Sequence, residues 1–156
     1  MDKTTFISTL QETRVQWEAE LAQMDEQRLL QPGIVGPWSV KDLLAHVSWY
    51  EREMVTVIRL HVFTGSEWWA LPADERNALI YQQNSQRPLQ EIVQEGQRSY
   101  TELLEAVQSL SDEDLNDPHH FREMPEDWVP WQIFAGNSSE HYQDHLPALH
   151  AWVTDR

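Results

Sequence analysis

The chain has 156 residues, of which 11 are basic and 26 acidic, so its formal net charge is −15. That length is enough for one domain, residues 1–156, with a buried core. A surface this negative should repel phosphate backbones and anionic lipid, so we predict no nucleic-acid partner and no membrane partner. Because cysteine is absent, any metal ion must be bound by histidine, aspartate or glutamate. With no apolar run of about 18 residues and an acidic, polar N-terminus, we expect a cytoplasmic protein.

The first half of the chain has the apolar spacing of two amphipathic helices. Apolar residues recur at threes and fours from about Thr4 to Met24, which predicts a first helix. A second helix should begin after Ser39, which can cap it with Asp42 in the capping-box position. Gly65 suits the end of this second helix.

The second half predicts one short helix and two long ones. The segment "ADERNALIYQQN" is typical of a short extra helix, with Asn77 and Tyr81 on one side. Pro88 fits the first turn of the third long helix, and the last helix begins around Trp131. No segment alternates like a strand. We therefore predict an all-α fold, a four-helix bundle with a short extra helix between helices two and three.

Three histidines on the inward stripes are candidate metal ligands. His141 and His145 are four residues apart on the last helix, a spacing that lets both imidazoles reach one ion. His46, on the second helix, offers a third ligand, with Asp42 and Tyr50 one turn away to orient its ring. Three protein ligands would leave coordination positions open, as in catalytic sites. The same spacing also fits ordinary histidines at the edge of a core, and spacing alone does not decide.

Other residues are candidates for a substrate cavity beside these histidines. Asn137 lies one turn before His141 and should face the same space, and Asn77 and Tyr81 are further polar candidates. Trp38 is among the eight tryptophans and can either line a cavity or fill the core. No buried acid stands out as a general base, so we assign no catalytic residue.

Two distant segments carry a resemblance to a known family. "GPWSVKDLLAHVSWYE" and, far downstream, "GNSSEHYQDHLPAL" look like the DinB-like superfamily of four-helix bundles. "ERNALIYQQNSQRPLQEI" and "LLEAVQSLSDEDL" resemble its ClbS/DfsB branch, so the similarity runs from the first helix to Leu149. The resemblance implies one bundle domain with a site for a divalent ion, nickel or zinc. Carried over by position, the ligands are His46, His141 and His145.

The resemblance also implies two alternative functions. Relatives include thiol-dependent enzymes such as mycothiol-dependent maleylpyruvate isomerase and bacillithiol transferases. They imply a metal-dependent enzyme that acts on electrophilic small molecules by thiol transfer or hydrolysis, in detoxification or stress, with a low-molecular-weight thiol as an optional cosubstrate. The alternative is a non-catalytic or metal-independent small-molecule-binding protein for self-resistance, of the ClbS type. The sequence leaves open whether the protein turns over a substrate, and a homodimer is an option.

Overall fold

The computed structural model describes residues 1–155, which form helices connected by short loops. The α-helices are α1 (Lys3–Leu21), α2 (Glu26–Leu30), α3 (Val40–Leu60), α4 (Ala73–Asn84), α5 (Leu89–Ser109), α6 (Asp112–Asn116), α7 (Pro130–Gly136) and α8 (Ser139–Thr154). Short 3-10 helices cover Glu67–Ala70 and Pro118–His120. Within residues 1–155 there is no β-strand, and no helix is both long and apolar enough to cross a membrane.

The four long helices α1, α3, α5 and α8 form the bundle. α3 packs along α5, α1 packs along α8, and α1 also contacts α5. The predicted all-α four-helix bundle is therefore confirmed. The predicted extra helix is α4, which has the bounds of the quoted segment and packs on α3.

The start of α3 was predicted correctly, but its end was not. Ser39 and Asp42 form a capping box, in which each side chain accepts a hydrogen bond from the other residue's backbone N–H. The helix ends at Leu60 because His61 adopts the left-handed conformation, with φ of 49°. Gly65 has another role: a Cβ there would lie 1.9 Å from the Trp69 indole and 2.5 Å from Glu53. Glycine is needed for this close approach, not for the helix stop.

The prediction of one continuous last helix is wrong, because the chain breaks between α7 and α8. Ser138 has φ of −145° and ψ of −94°, outside the helical region. The Ser138 hydroxyl donates to the Phe134 carbonyl at 2.5 Å, and the Asn137 amide donates to the Ile133 carbonyl at 2.7 Å. These side chains satisfy carbonyls that the end of α7 leaves open. As a result His141 and His145 lie in the first two turns of a separate helix.

One polar residue from each long helix meets in the bundle core. These residues are Arg14, Glu51, Ser99 and Tyr142, all at most 6% exposed. Ser99 and Tyr142 donate hydrogen bonds to the two carboxylate oxygens of Glu51. Arg14 donates to the Tyr142 hydroxyl at 3.0 Å and lies 3.8 Å from Glu51. Burial raises the pKa of Glu51, and the Arg14 charge opposes that shift. Glu51 is the buried acid that the sequence did not reveal.

We predict that Arg14→Met lowers the free energy of unfolding by about 3–5 kcal/mol, because it leaves the buried Glu51 carboxylate without its cation. Denaturant titration measures the change. The control is Arg59→Met, since Arg59 pairs with Glu102 at the surface and such pairs contribute at most about 1 kcal/mol. Equal losses of unfolding free energy in the two variants would show that the buried pair stabilises the fold no more than the surface pair does.

Candidate metal centre

The fold brings together the three histidines that the sequence singled out. His46 lies about two turns into α3, while His141 and His145 lie on successive turns of α8. One ring nitrogen from each lies within 4.8 Å of the other two. The ring centroids are 4.8 Å apart for His46 and His141, 5.4 Å for His46 and His145, and 4.9 Å for His141 and His145.

The spacing of the ring nitrogens fits a shared ion. His46 Nε2 and His141 Nε2 are 2.9 Å apart. Two nitrogens that bind one ion at about 2.0–2.1 Å, at a right angle, would be about 2.9 Å apart. The same distance also fits a hydrogen bond between two neutral imidazoles, one donating and one accepting. The geometry is thus compatible with a divalent ion without requiring one.

The electrostatics of the cluster favour neutral imidazoles. Burial lowers the pKa of His46 to about 2, with smaller contributions from His141, His145 and Arg76. Burial also lowers the pKa of His141 to about 3, with His145 adding to the shift. For His145, burial lowers the pKa and the Asp144 charge opposes the shift. Because a metal ligand must be an unprotonated imidazole, all three rings are in the binding form near neutral pH.

The second ring nitrogens are not satisfied in the expected way. Asp42 and Tyr50 were expected to orient His46, but Asp42 Oδ2 belongs to the α3 cap and the Tyr50 hydroxyl bonds to α4. The buried Nδ1 atoms of His46 and His141 have no hydrogen-bond partner within residues 1–155, nor has Asp42 Oδ1. Metal-binding histidines usually donate their second N–H to an acceptor. Asp42 lies one turn before His46 on α3, the spacing at which side chains of a helix are neighbours.

Of the four cavity candidates, Trp38 lies against His46, and Tyr81 and Asn77 lie one side chain further away. The Trp38 ring is 5.2 Å from the His46 ring and stacks on Tyr81 at 6.1 Å. Asn77 accepts a hydrogen bond from the Tyr50 hydroxyl at 2.9 Å, and the Tyr50 ring lies 4.9 Å from both His46 and His141. The fourth, Asn137, uses its amide to cap α7.

Arg76 is a neighbour of the site that sequence reasoning missed. Its Nε donates to the Tyr50 hydroxyl at 3.0 Å, and its guanidinium lies 4.6 Å from the centre of the Trp69 ring. Trp69 is held in turn by Glu53, which accepts from the indole N–H at 2.6 Å. The sequence offered one signal for Arg76: it directly precedes Asn77, a cavity candidate, on the extra helix. Arg76, Asn77 and Trp69 are partly exposed, as is His145 of the cluster.

The sequence profile of the DinB superfamily matches residues 9–148, so the chain belongs to this superfamily. An uncharacterised protein from Escherichia coli UTI89 has the same fold, with a TM-score of 0.80, 14% identity, and coverage of 99% of this chain and 94% of that one. A protein from Streptococcus pneumoniae gives a TM-score of 0.81 at 13% identity, with coverage of 97% and 90%. No curated protein matches this sequence.

A third similar structure corrects one prediction. The colibactin self-resistance protein ClbS has a TM-score of 0.80 and 10% identity, with coverage of 98% of this chain and 96% of that one. Its structure is a complex with double-stranded DNA. Our exclusion of a nucleic-acid partner is therefore wrong. Net charge averages over the whole surface, whereas phosphate binding depends on the local arrangement of charge.

We predict that the metal-free protein loses stability on acidification below about pH 6.5. Histidines of the unfolded chain take up protons near that pH, whereas the lowered pKa values keep His46 and His141 neutral in the fold. Acid therefore favours the unfolded state, by up to about 1.4 kcal/mol per pH unit for each histidine. Denaturant titrations in chelator at pH 7, 6 and 5 measure the slope.

The matched variants for this prediction are His46→Gln and His150→Gln. The first removes one of the buried histidines and should reduce the pH dependence, to which His141 still contributes, while the second removes an exposed histidine and should not reduce it. The same slope in wild type and His46→Gln would contradict the prediction.

Proposed function

We propose that this protein is a metal-dependent enzyme that acts on electrophilic small molecules, by thiol transfer or hydrolysis, in the cytoplasm. His46, His141 and His145 would hold one divalent ion, nickel or zinc. The observation that carries the proposal is the convergence of three neutral imidazoles from two helices, one of which, that of His145, is partly exposed. Membership in the DinB superfamily supports it.

The donor set is suited to nickel or zinc, because imidazole is a preferred ligand of both and the chain has no thiolate to compete. A divalent ion held by three imidazoles would supply Lewis acidity, which lowers the pKa of a water or thiol cosubstrate. This chemistry would compensate for a missing general base at the site, since the buried Glu51 carboxylate accepts hydrogen bonds from Ser99 and Tyr142 within the core.

The residues beside the cluster would position the substrate. The Tyr50 hydroxyl donates to Asn77 and accepts from Arg76, so it is held in place and serves as a support. The Asn77 amide nitrogen makes no hydrogen bond within residues 1–155 and is available to a ligand. Trp38 and Tyr81, stacked beside His46, would exclude water from one side and contact the apolar part of the substrate.

We predict that His46→Ala, His141→Ala and His145→Ala each reduce bound nickel or zinc from about one ion per chain to a small fraction. Each removes one of three ligands, and an incomplete site binds weakly. Elemental analysis of protein prepared without a histidine tag measures the metal. The same variants should lose metal-dependent conjugation of a small thiol to an electrophile, followed by loss of free thiol.

The controls are His119→Ala and His150→Ala, whose imidazoles are exposed and bonded to Asp117 and Glu20. Both should retain metal and conjugation. If His119→Ala loses as much metal as His141→Ala, the ligand assignment is wrong. If the wild type binds metal but shows neither conjugation nor hydrolysis, the enzyme proposal fails.

A second candidate is a metal-independent self-resistance or small-molecule-binding protein of the ClbS kind. The shared fold favours it, as does one local feature of the surface. Three arginines, Arg52, Arg87 and Arg98, and two glutamates, Glu95 and Glu102, line a cavity of about 480 Å³ on this acidic chain. Glu95 pairs with Arg52 and Arg87, whereas Arg98 forms no ion pair within residues 1–155. A phosphate group would be favoured here more than the net charge suggests.

For this second candidate we predict duplex DNA binding that weakens steeply with salt and is unchanged by chelator. Arg98→Gln should weaken binding several-fold by removing a phosphate contact, while the exposed Arg122→Gln should not. Fluorescence anisotropy with labelled duplex at low and moderate salt measures both. No binding at low salt, together with thiol conjugation by the metal-loaded protein, would favour the enzyme over this candidate.

A further inference from the structure

Arg76 is a half-buried cation whose donors are only partly used. Its Nε donates to the Tyr50 hydroxyl, and the guanidinium faces the rings of Trp69, at 4.6 Å, and Tyr50, at 5.5 Å. Its two terminal nitrogens make no hydrogen bond, and no carboxylate oxygen lies within 4.0 Å of it, in the part of the chain that the structure describes. The side chain is thus held in place while its fork of donors remains free.

Arg76 differs from the other arginines of residues 1–155 in its partners and exposure. Four others pair with glutamate: Arg14, Arg52, Arg59 and Arg87. Arg28 donates to backbone carbonyls, and Arg98 and Arg122 are exposed to water. Arg76 is partly withdrawn from water, yet no acidic side chain within residues 1–155 pairs with it, although the chain has 26 acidic residues. Burying a charge without a partner is costly, so an anion from outside the chain would be stabilised there.

The free donors lie one side chain away from the histidine cluster. The ring of Tyr50 contacts His46 and His141 on one side, with centroids 4.9 Å away, and its hydroxyl receives Arg76 Nε on the other. The Asn77 amide nitrogen, also without a partner in residues 1–155, belongs to the same turn of α4. A small molecule that reaches the histidines could therefore meet a cation and an amide donor at its other end.

We infer that Arg76 binds the carboxylate of the natural ligand, so that the substrate or thiol cosubstrate is a small carboxylic acid. The planar guanidinium fork matches a carboxylate with two parallel hydrogen bonds, a match that a lysine would not give. Trp69 and Tyr50 fix the fork in advance, which reduces the entropy lost on binding. The inference rests on the proposed metal-dependent function, because it assigns the ligand class of that same site.

The test compares two thiols of equal length, 3-mercaptopropionate and 3-mercapto-1-propanol, on cobalt-loaded protein. The sulfur-to-cobalt charge-transfer band gives an apparent Kd for each. The wild type should bind the carboxylate thiol roughly 10- to 100-fold more tightly, as expected for a charge-assisted pair. Arg76→Gln should abolish this preference without changing the affinity for the alcohol, which also shows that the site is intact. Arg98→Gln, the same change on α5, should keep the preference.

The outcomes separate this inference from the function on which it rests. If the band forms but the two thiols bind equally, or the preference persists in Arg76→Gln, the inference is overturned while the thiol site stands. If no band forms, the thiol-transfer form of the proposed function fails, and NMR of the metal-free protein then decides the inference. A saturable shift of the Arg76 Nε–H resonance with propionate, but not with 1-propanol, would support carboxylate binding. No shift would overturn it.

Discussion

The hydrogen-bonded group around Glu51 is the constraint on which the arrangement of the bundle depends. Apolar side chains can slide or rotate past one another at modest cost, whereas a buried carboxylate needs its donors in fixed positions. Glu51 takes those donors from α5 and α8, and Arg14 from α1 completes the group. Each long helix is therefore fixed in rotation and register at one level of the bundle.

The same constraint positions the histidine cluster. Tyr50 precedes Glu51 on α3, and His141 precedes Tyr142 on α8, so the residues that make the core network are the immediate neighbours of residues at the site. Consecutive residues of a helix point in directions about 100° apart. Fixing Glu51 and Tyr142 towards the core thus directs Tyr50 and His141 towards the neighbouring face, where their rings meet at 4.9 Å. The buried network around Glu51 and the candidate metal centre therefore lie on neighbouring faces of the same two helices, α3 and α8.

The sequence predicted what local periodicity and capping determine, and missed what depends on tertiary packing. The long helices repeat their apolar stripe over several turns, and the Ser39 capping box needs only three residues. α2 and α6 have five residues each, too few for a periodic signal. The break at Ser138 was invisible because the stripe continues in phase across it. Glu51 and Arg76 resemble surface residues by type, and only the fold reveals that Glu51 is buried and that Arg76 has no acidic partner within residues 1–155.

The connection between α3 and α4 supports Arg76 but carries none of the three histidines of the cluster. The three histidines lie on α3 and α8, whereas Arg76 rests on Trp69, whose indole fits only because residue 65 is glycine and Glu53 receives its N–H. Substitutions in this connection would move the guanidinium while replacing none of the three imidazoles. Under the proposed function, changes in this connection would therefore alter which molecules the site accepts while leaving all three histidines in the sequence.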